Sequence, residues 1–184
     1  MKHIDKTWTL FLDRDGVINR HRPNEYVTRW EEFEFNPGTL EAMAFLTKYF
    51  GKVIVVTNQQ GVGKGMMNRQ TLEEIHFSMC EEIARHGGNI DAVYYCPHLS
   101  SIKPNCRKPE IGMALEAKEN FPMIDFYKSV MVGDSDSDME FGNRMNMHCI
   151  RIYNPNAHVG EKVLKVDAVF NSLLDFALSI HHKS

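Results

Sequence analysis

The chain is poor in every feature that would direct it to a membrane, an oxidising compartment or a polyanion. Four cysteines in 184 residues, Cys80, Cys96, Cys106 and Cys149, are too sparse for a disulfide scaffold. Uninterrupted apolar runs such as Val53 to Val56 and Ala92 to Cys96 fall far short of the roughly 20 residues that span a bilayer. The opening Met1-Lys2-His3-Ile4-Asp5-Lys6 lacks the apolar centre of a secretory signal. These absences together predict a soluble, cytoplasmic protein with reduced thiols. Charge of neither sign dominates: 21 Lys and Arg stand against 24 Asp and Glu, for a net charge of −3. No general field therefore draws the surface to nucleic acid or membrane, and an anionic ligand must be held by local geometry. The expected partner is a small metabolite, and the expected state a monomer. An apolar fraction of 43% suffices for one substantial core, and the length predicts a single domain over 1–184. Repeats, low-complexity tracts and linkers are lacking too.

What is present is an alternation of short β-branched runs with longer segments of helical period, the pattern of a parallel sheet covered on both faces. Strands are predicted at Thr7 to Leu12, Lys52 to Thr57, Ile90 to Tyr95, Ser129 to Val132 and His148 to Ile152, with a short edge at Ala168 to Phe170. Helices are predicted at Pro37 to Tyr49, Glu110 to Asn120, Asp138 to Met145 and Ser172 to His181. Another runs from an Asn68 cap to His86, closed by Gly87, with Leu72, Ile75, Met79 and Ile83 on one face. The strands follow closely enough to use up the chain, which leaves no insertion large enough for a cap domain. In such a doubly wound, three-layered sheet, ligands bind outside the carboxyl ends of the strands.

The residues at those ends are polar or charged. Asp13-Arg14-Asp15-Gly16 follows the first strand, and Thr57-Asn58-Gln59-Gln60-Gly61 the second. Arg107-Lys108-Pro109 precedes a helix after the third, and Gly133-Asp134-Ser135-Asp136-Ser137-Asp138 follows the fourth. The hydroxyl, amides and turn N–H groups of 57–61 suit phosphate oxygens. Any one of these aspartates alone reads as an ordinary turn residue. Asp13, Asp15, Asp134 and Asp138 converging would repel one another, so the crevice needs positive charge. Lys108 and a hard divalent cation would supply it, and an all-oxygen shell favours Mg²⁺ over Zn²⁺. Two other motifs fail. Asp134-x-Asp136-x-Asp138 begins like a calcium loop, but Met139 and Met145 stand where Gly and Glu are required. Gly61-Val62-Gly63-Lys64-Gly65 has neither nucleotide-loop spacing.

The ordered set Asp13/Asp15, Thr57, Lys108 and Asp134 with Asp138 resembles the haloacid dehalogenase-like (HAD) phosphatase superfamily. Phe11-Leu12-Asp13-Arg14-Asp15-Gly16, Val56-Thr57-Asn58-Gln59-Gln60-Gly61, Tyr94-Tyr95-Cys96-Pro97-His98, Cys106-Arg107-Lys108-Pro109 and Met131-Val132-Gly133-Asp134 resemble its heptose-bisphosphate and histidinol-phosphate phosphatase branch. The resemblance covers nearly the whole chain. It implies a Rossmann-like HAD fold and hydrolysis through an aspartyl-phosphate, with Asp13 as nucleophile and Asp15 as general acid, then base. It implies Mg²⁺ held by the Asp13 and Asp134 side chains and the Asp15 backbone carbonyl. Thr57, Asn58, Gln59, Gln60, Arg107 and Lys108 would hold substrate or phosphate, and Asp138 would orient Lys108.

Relatives in this branch hold a structural zinc with Cys-x-His and Cys-x-Cys. Here Cys96, His98 and Cys106 are candidates for it, but Pro104 replaces a fourth ligand. The loops at 19–26, 59–64 and 99–108 carry Arg20, His21, Arg22, Lys64, Lys103 and Arg107, which suits a ligand with a second phosphate. Ser135 stands where branch members often have Lys or Arg. The expected substrate is D-glycero-D-manno-heptose 1,7-bisphosphate, cleaved at the 7-phosphate on the route to nucleotide-activated heptose and lipopolysaccharide. The alternatives are histidinol phosphate and, in another class, a silent phosphosugar-binding module.

Overall fold

A computed structural model describes residues 3–22, 25–155, 160 and 163–181. Residues 1 and 2 of the opening stretch, and 23 and 24 of the expected specificity segment 19–26, lie outside that set. Six parallel strands, β1 (Thr9–Leu12), β2 (Lys52–Asn58), β3 (Ala92–Cys96), β4 (Ser129–Gly133), β5 (His148–Ile152) and β6 (Ala168–Phe170), form one sheet in the order 3-2-1-4-5-6. Among the described residues, five α-helices connect or close them: α1 (Thr39–Tyr49), α2 (Arg69–Arg85), α3 (Gly112–Asn120), α4 (Asp136–Arg144) and α5 (Leu173–His181).

Strand side chains alternate between faces, so each central strand feeds two cores. Leu10, Leu12, Val53, Val55, Val130 and Val132 pack with Met43 and Leu46 of α1, Leu72, Ile75, Met79 and Ile83 of α2 and Phe176 of α5. Phe11, Ile54, Val56 and Met131 face the opposite way, against Met113 and Ala117 of α3 and Phe141 of α4. The result is the predicted three-layered α/β architecture. Among the described residues, the long stretches from β1 to α1 and from β3 to α3 carry only single-turn helices, at Trp30–Glu32 and Ser100–Ile102. No helix among the described residues is long and apolar enough to cross a membrane.

Local chemistry shifts several boundaries from the predicted ones. β1 starts at Thr9 because the Asp5 carboxylate accepts from the N–H and hydroxyl of Thr7 in a preceding turn. α3 starts at Gly112 because Glu110 N–H closes a turn onto the Arg107 carbonyl. α4 begins two residues early, at Asp136, since the Asp138 carboxylate accepts from the Ser135 N–H and caps the first turn. α2 matches its prediction: Asn68 accepts from Thr71 N–H at 2.8 Å, and Gly87 follows the helix at φ +83°.

Candidate active site

The strand order changes direction between β1 and β4, and the residues just past these two strands lie side by side at the crevice this creates. Asp13 is tied to β4 by its own N–H, which donates to the Val132 carbonyl at 2.9 Å. The Arg14 carbonyl accepts from the N–H groups of Val17, Ile18 and Asn19, turning the chain sharply after the second aspartate. Gly16 sits in this turn at φ +91°, where a Cβ would overlap the Asp134 carboxylate. A side chain at 16 is thus excluded both by backbone conformation and by the carboxylate from β4.

Lys108 is the positive centre. It is 3% exposed, and its Nζ lies 2.8 Å from Asp13 Oδ1 and 2.6 Å from Asp138 Oδ1 and donates to the Val56 carbonyl at 2.7 Å. A reciprocal pair fixes its backbone: Asn58 Nδ2 donates to the Lys108 carbonyl at 3.1 Å, and Lys108 N–H donates to Asn58 Oδ1 at 3.0 Å. The other oxygen of Asp138 accepts from the Ser135 N–H and hydroxyl, so this carboxylate is locked between the α4 cap and the ammonium. Burial alone would lower the Lys108 pKa; Asp13 and Asp138 overcome it and hold the group charged.

One ammonium does not balance the acids around it. Asp13, Asp134 and Asp138 place ligand oxygens within 4.8 Å of one another. Burial pushes the Asp13 carboxyl well up, against Lys108, and the neighbouring Asp138, Asp134 and Asp15 push the same way. Burial, then Asp138, raises Asp134 to about 6, while Asn154 Nδ2 donates to its Oδ2 at 2.8 Å. A hard-oxygen donor set with surplus negative charge fits a magnesium-sized cation.

Asp15 behaves differently. Burial would raise its pKa, but the Arg14 charge and hydrogen bonds from Arg14, Asn19 and Gln59 pull it below the usual carboxylate value. Arg14 Nη2 reaches its two oxygens at 2.8 and 3.0 Å, Asn19 Nδ2 donates at 2.9 Å and Gln59 Nε2 at 2.6 Å. Gln59 Nε2 also donates to the buried Thr57 hydroxyl at 2.9 Å.

These groups open into a pocket of about 450 Å³ whose walls include Asp13, Arg14, Asp15, Thr57, Asn58, Gln60, Lys108, Asp134 and Asp138, with His21, Arg22, Tyr26 and Lys64 toward the rim. Gln60 Nε2 donates to the Tyr26 hydroxyl at 3.0 Å, and Lys64 Nζ lies 5.2 Å from that ring's centre. Gln59 is buried behind the wall. Arg107 is absent from the lining, and its buried Nη1 has no hydrogen-bond partner among the described residues.

Two expectations about the cysteines are overturned. Cys96 and Cys106 are joined in a disulfide across Cα atoms 5.2 Å apart, so they are not reduced thiols. A sulfur bonded to another sulfur is not a thiolate, and zinc liganding by Cys96, His98 and Cys106 loses two of its three donors. Among the described residues the sole cluster able to hold a metal is the aspartate one. Cys80 and Cys149 are free. Sequence reasoning missed the contributions of Asn154, Asn19 and the Arg14 side chain. Asn154 lies just past β5, where the strand-end rule would have found it.

A family model described as HAD-hydrolase-like matches residues 105–176. The D-glycero-alpha-D-manno-heptose-1,7-bisphosphate 7-phosphatase of Mycobacterium tuberculosis strain H37Rv is 38% identical over 178 residues, covering 95% of this chain and 92% of that one. The D-glycero-beta-D-manno-heptose-1,7-bisphosphate 7-phosphatase of Neisseria meningitidis serogroup A is 32% identical over 173 residues, covering 91% of each. The crystal structure of a D,D-heptose 1,7-bisphosphate phosphatase from B. bronchiseptica, complexed with magnesium and phosphate, superposes with a TM-score of 0.84 at 28% identity, over 96% of this chain and 99% of that one. The chain belongs to the HAD-like phosphatase superfamily, within its heptose-bisphosphate phosphatase branch, and is a phosphoric monoester hydrolase.

Proposed function

We propose that the chain removes the 7-phosphate of D-glycero-D-manno-heptose 1,7-bisphosphate through an aspartyl-phosphate on Asp13. The observation that carries the chemistry is the buried Asp13–Lys108–Asp138 centre at the end of β1 and β4. Identities of 32 to 38% over more than nine-tenths of both chains support the substrate.

An Asp13 oxygen attacks phosphorus as the bond from phosphorus to the sugar oxygen breaks. To act as the acid Asp15 must carry a proton against the pull of Arg14, Asn19 and Gln59; it gives that proton to the departing oxygen, then as a carboxylate regains one from the water that cleaves the acyl phosphate. Inorganic phosphate leaves and Asp13 is regenerated. The Lys108 ammonium and the Thr57 hydroxyl bind the transferring oxygens, with Asp138 holding the ammonium in place. The side chains of Asp13 and Asp134 and the backbone carbonyl of Asp15 would hold Mg²⁺, which when bound neutralises charge that would otherwise repel the phosphate dianion. Gln59 restrains Asp15 and Thr57 together.

The test is Mg²⁺-dependent phosphate release from both anomers of the heptose bisphosphate, histidinol phosphate, fructose bisphosphate and an aryl phosphate. A kcat/KM preference of about 10²-fold or more for a heptose bisphosphate is expected, worth about 2.7 kcal/mol. Preference for histidinol phosphate overturns the substrate, and release from none of them overturns the enzyme. Asp13→Asn should abolish turnover with the fold intact, and Asp15→Asn should cost about 10²–10⁴-fold.

A further inference from the structure

Behind Asp15 runs a buried polar chain that the reaction above leaves without a role. Arg14 is 1% exposed, with its guanidinium carbon 5.8 Å from the centre of the Phe33 ring. Its Nη2 spans both oxygens of Asp15, and its Nη1 lies 3.2 Å from Nε2 of His76. His76 is 5% exposed on the inward face of α2, and its ring centre is 5.6 Å from that of Tyr95. A guanidinium has no acceptor, so the contact is a hydrogen bond only if His76 Nε2 accepts and the ring is neutral. Burial and the Arg14 charge favour that neutral form, lowering the His76 pKa to about 3.

We infer that His76 is a positioning residue for proton transfer: by accepting from Arg14 Nη1 it fixes the guanidinium across both Asp15 oxygens and so sets the orientation of that carboxyl in the pocket. The inference rests on the assignment of Asp15 as acid and base. Without an acceptor at 76, Nη1 would be buried without a partner, and the arginine would turn to satisfy it at the expense of its grip on Asp15. Displacement of a reacting group by about 1 Å can cost about 10²-fold.

The experiment compares an alkyl ester, the sugar phosphate, with an aryl phosphate whose oxide leaves without a proton. The ratio kcat/KM covers steps up to ester cleavage, so only the alkyl ester reports on Asp15 as acid in that ratio. His76→Leu should lower kcat/KM for the sugar phosphate by about 10²-fold while that for the aryl ester stays within about threefold. For the aryl ester, kcat and KM should fall together, because dephosphorylation still needs Asp15 as base. His76→Gln, whose amide oxygen can accept from Arg14, should restore the sugar phosphate rate. Should the leucine variant not fold, Arg14→Lys keeps the charge, loses the fork and should give the same split. Equal loss on both esters, no loss on either, or no rescue by glutamine overturns the positioning role. Asp15→Asn separates the two levels. If it lowers both esters alike, the acid assignment fails and takes this inference with it; if it shows the split and the His76 variants do not, only His76 is wrong.

Discussion

Asp134 shows how an aspartate can be costly to the fold and still necessary to the site. It is 5% exposed, and burial followed by the nearby Asp138 holds its pKa near 6, above the ordinary 3.8. A group whose folded value lies above its unfolded value stabilises the fold while protonated. That contribution is lost as pH rises between about 4 and about 6, at up to about 1.4 kcal/mol per pH unit. At neutral pH the metal-free protein therefore carries the cost of an ionised, buried carboxylate, up to about 3 kcal/mol. Asp134→Asn removes the charge and can still accept from Asn154. In chelator at neutral pH the variant should melt about 5 °C higher than the wild type, with phosphate release lost. Added Mg²⁺ should raise the melting temperature of the wild type and leave that of the variant unchanged. A lower melting point in chelator, or equal stabilisation by Mg²⁺, would count against Asp134 as a ligand. His76 was legible in part at this same scale: it is the polar member of the buried face Leu72, Ile75, His76, Met79 and Ile83. A polar side chain on an apolar stripe signals a buried partner, but spacing alone does not say that the partner is Arg14, 62 positions away.

The elements were legible because the sheet is buried on both faces and its strands read as continuous apolar runs. Helices announced themselves through caps and periodic apolar positions. Boundaries moved where a side chain caught a backbone group that periodicity does not register, as Asp5 does before β1 and Asp138 does at α4. The cap on α2 offers a clean test of whether that helix's stability is separate from the chemistry. Asn68 accepts from Thr71 N–H at 2.8 Å and lies outside the pocket walls. Asn68→Ala should lower stability by about 1 kcal/mol in chemical denaturation. The kcat/KM of the folded variant should stay within about twofold, since the rest of α2, including His76, is held by its apolar face. A larger loss of activity at unchanged stability would mean that the α2 entry positions the site directly.

At the scale of the whole molecule, the site was legible because topology does the assembling. Once the sheet is known to be parallel, strand-end residues 13, 57 and 134 must meet at one edge, and the reversal of strand order selects the crevice. The Cys96–Cys106 bond was not legible, because it depends on how the 97–105 loop returns, and compartment reasoning pointed the other way. Nor does strand-end logic tell which rim cations face the pocket: His21, Arg22 and Lys64 do, and Arg107 is not among its walls. Those three come from loops separated by up to 43 positions, so their grouping is a property of the folded chain. Lys64 stands beside Tyr26, whose hydroxyl is held by Gln60, and so offers an ammonium at the rim away from the buried Lys108. A substrate carrying a second phosphate has something for it to bind, and a monophosphate does not. Lys64→Gln should raise KM for the heptose bisphosphate by about tenfold, or about 1.4 kcal/mol, with kcat little changed. The KM for an aryl monophosphate should stay the same. Because the contact lies at a solvated rim, the wild-type preference for the bisphosphate should also shrink as salt is raised. An unchanged KM for the bisphosphate, or an equal rise for both substrates, would show that the second phosphate is bound elsewhere.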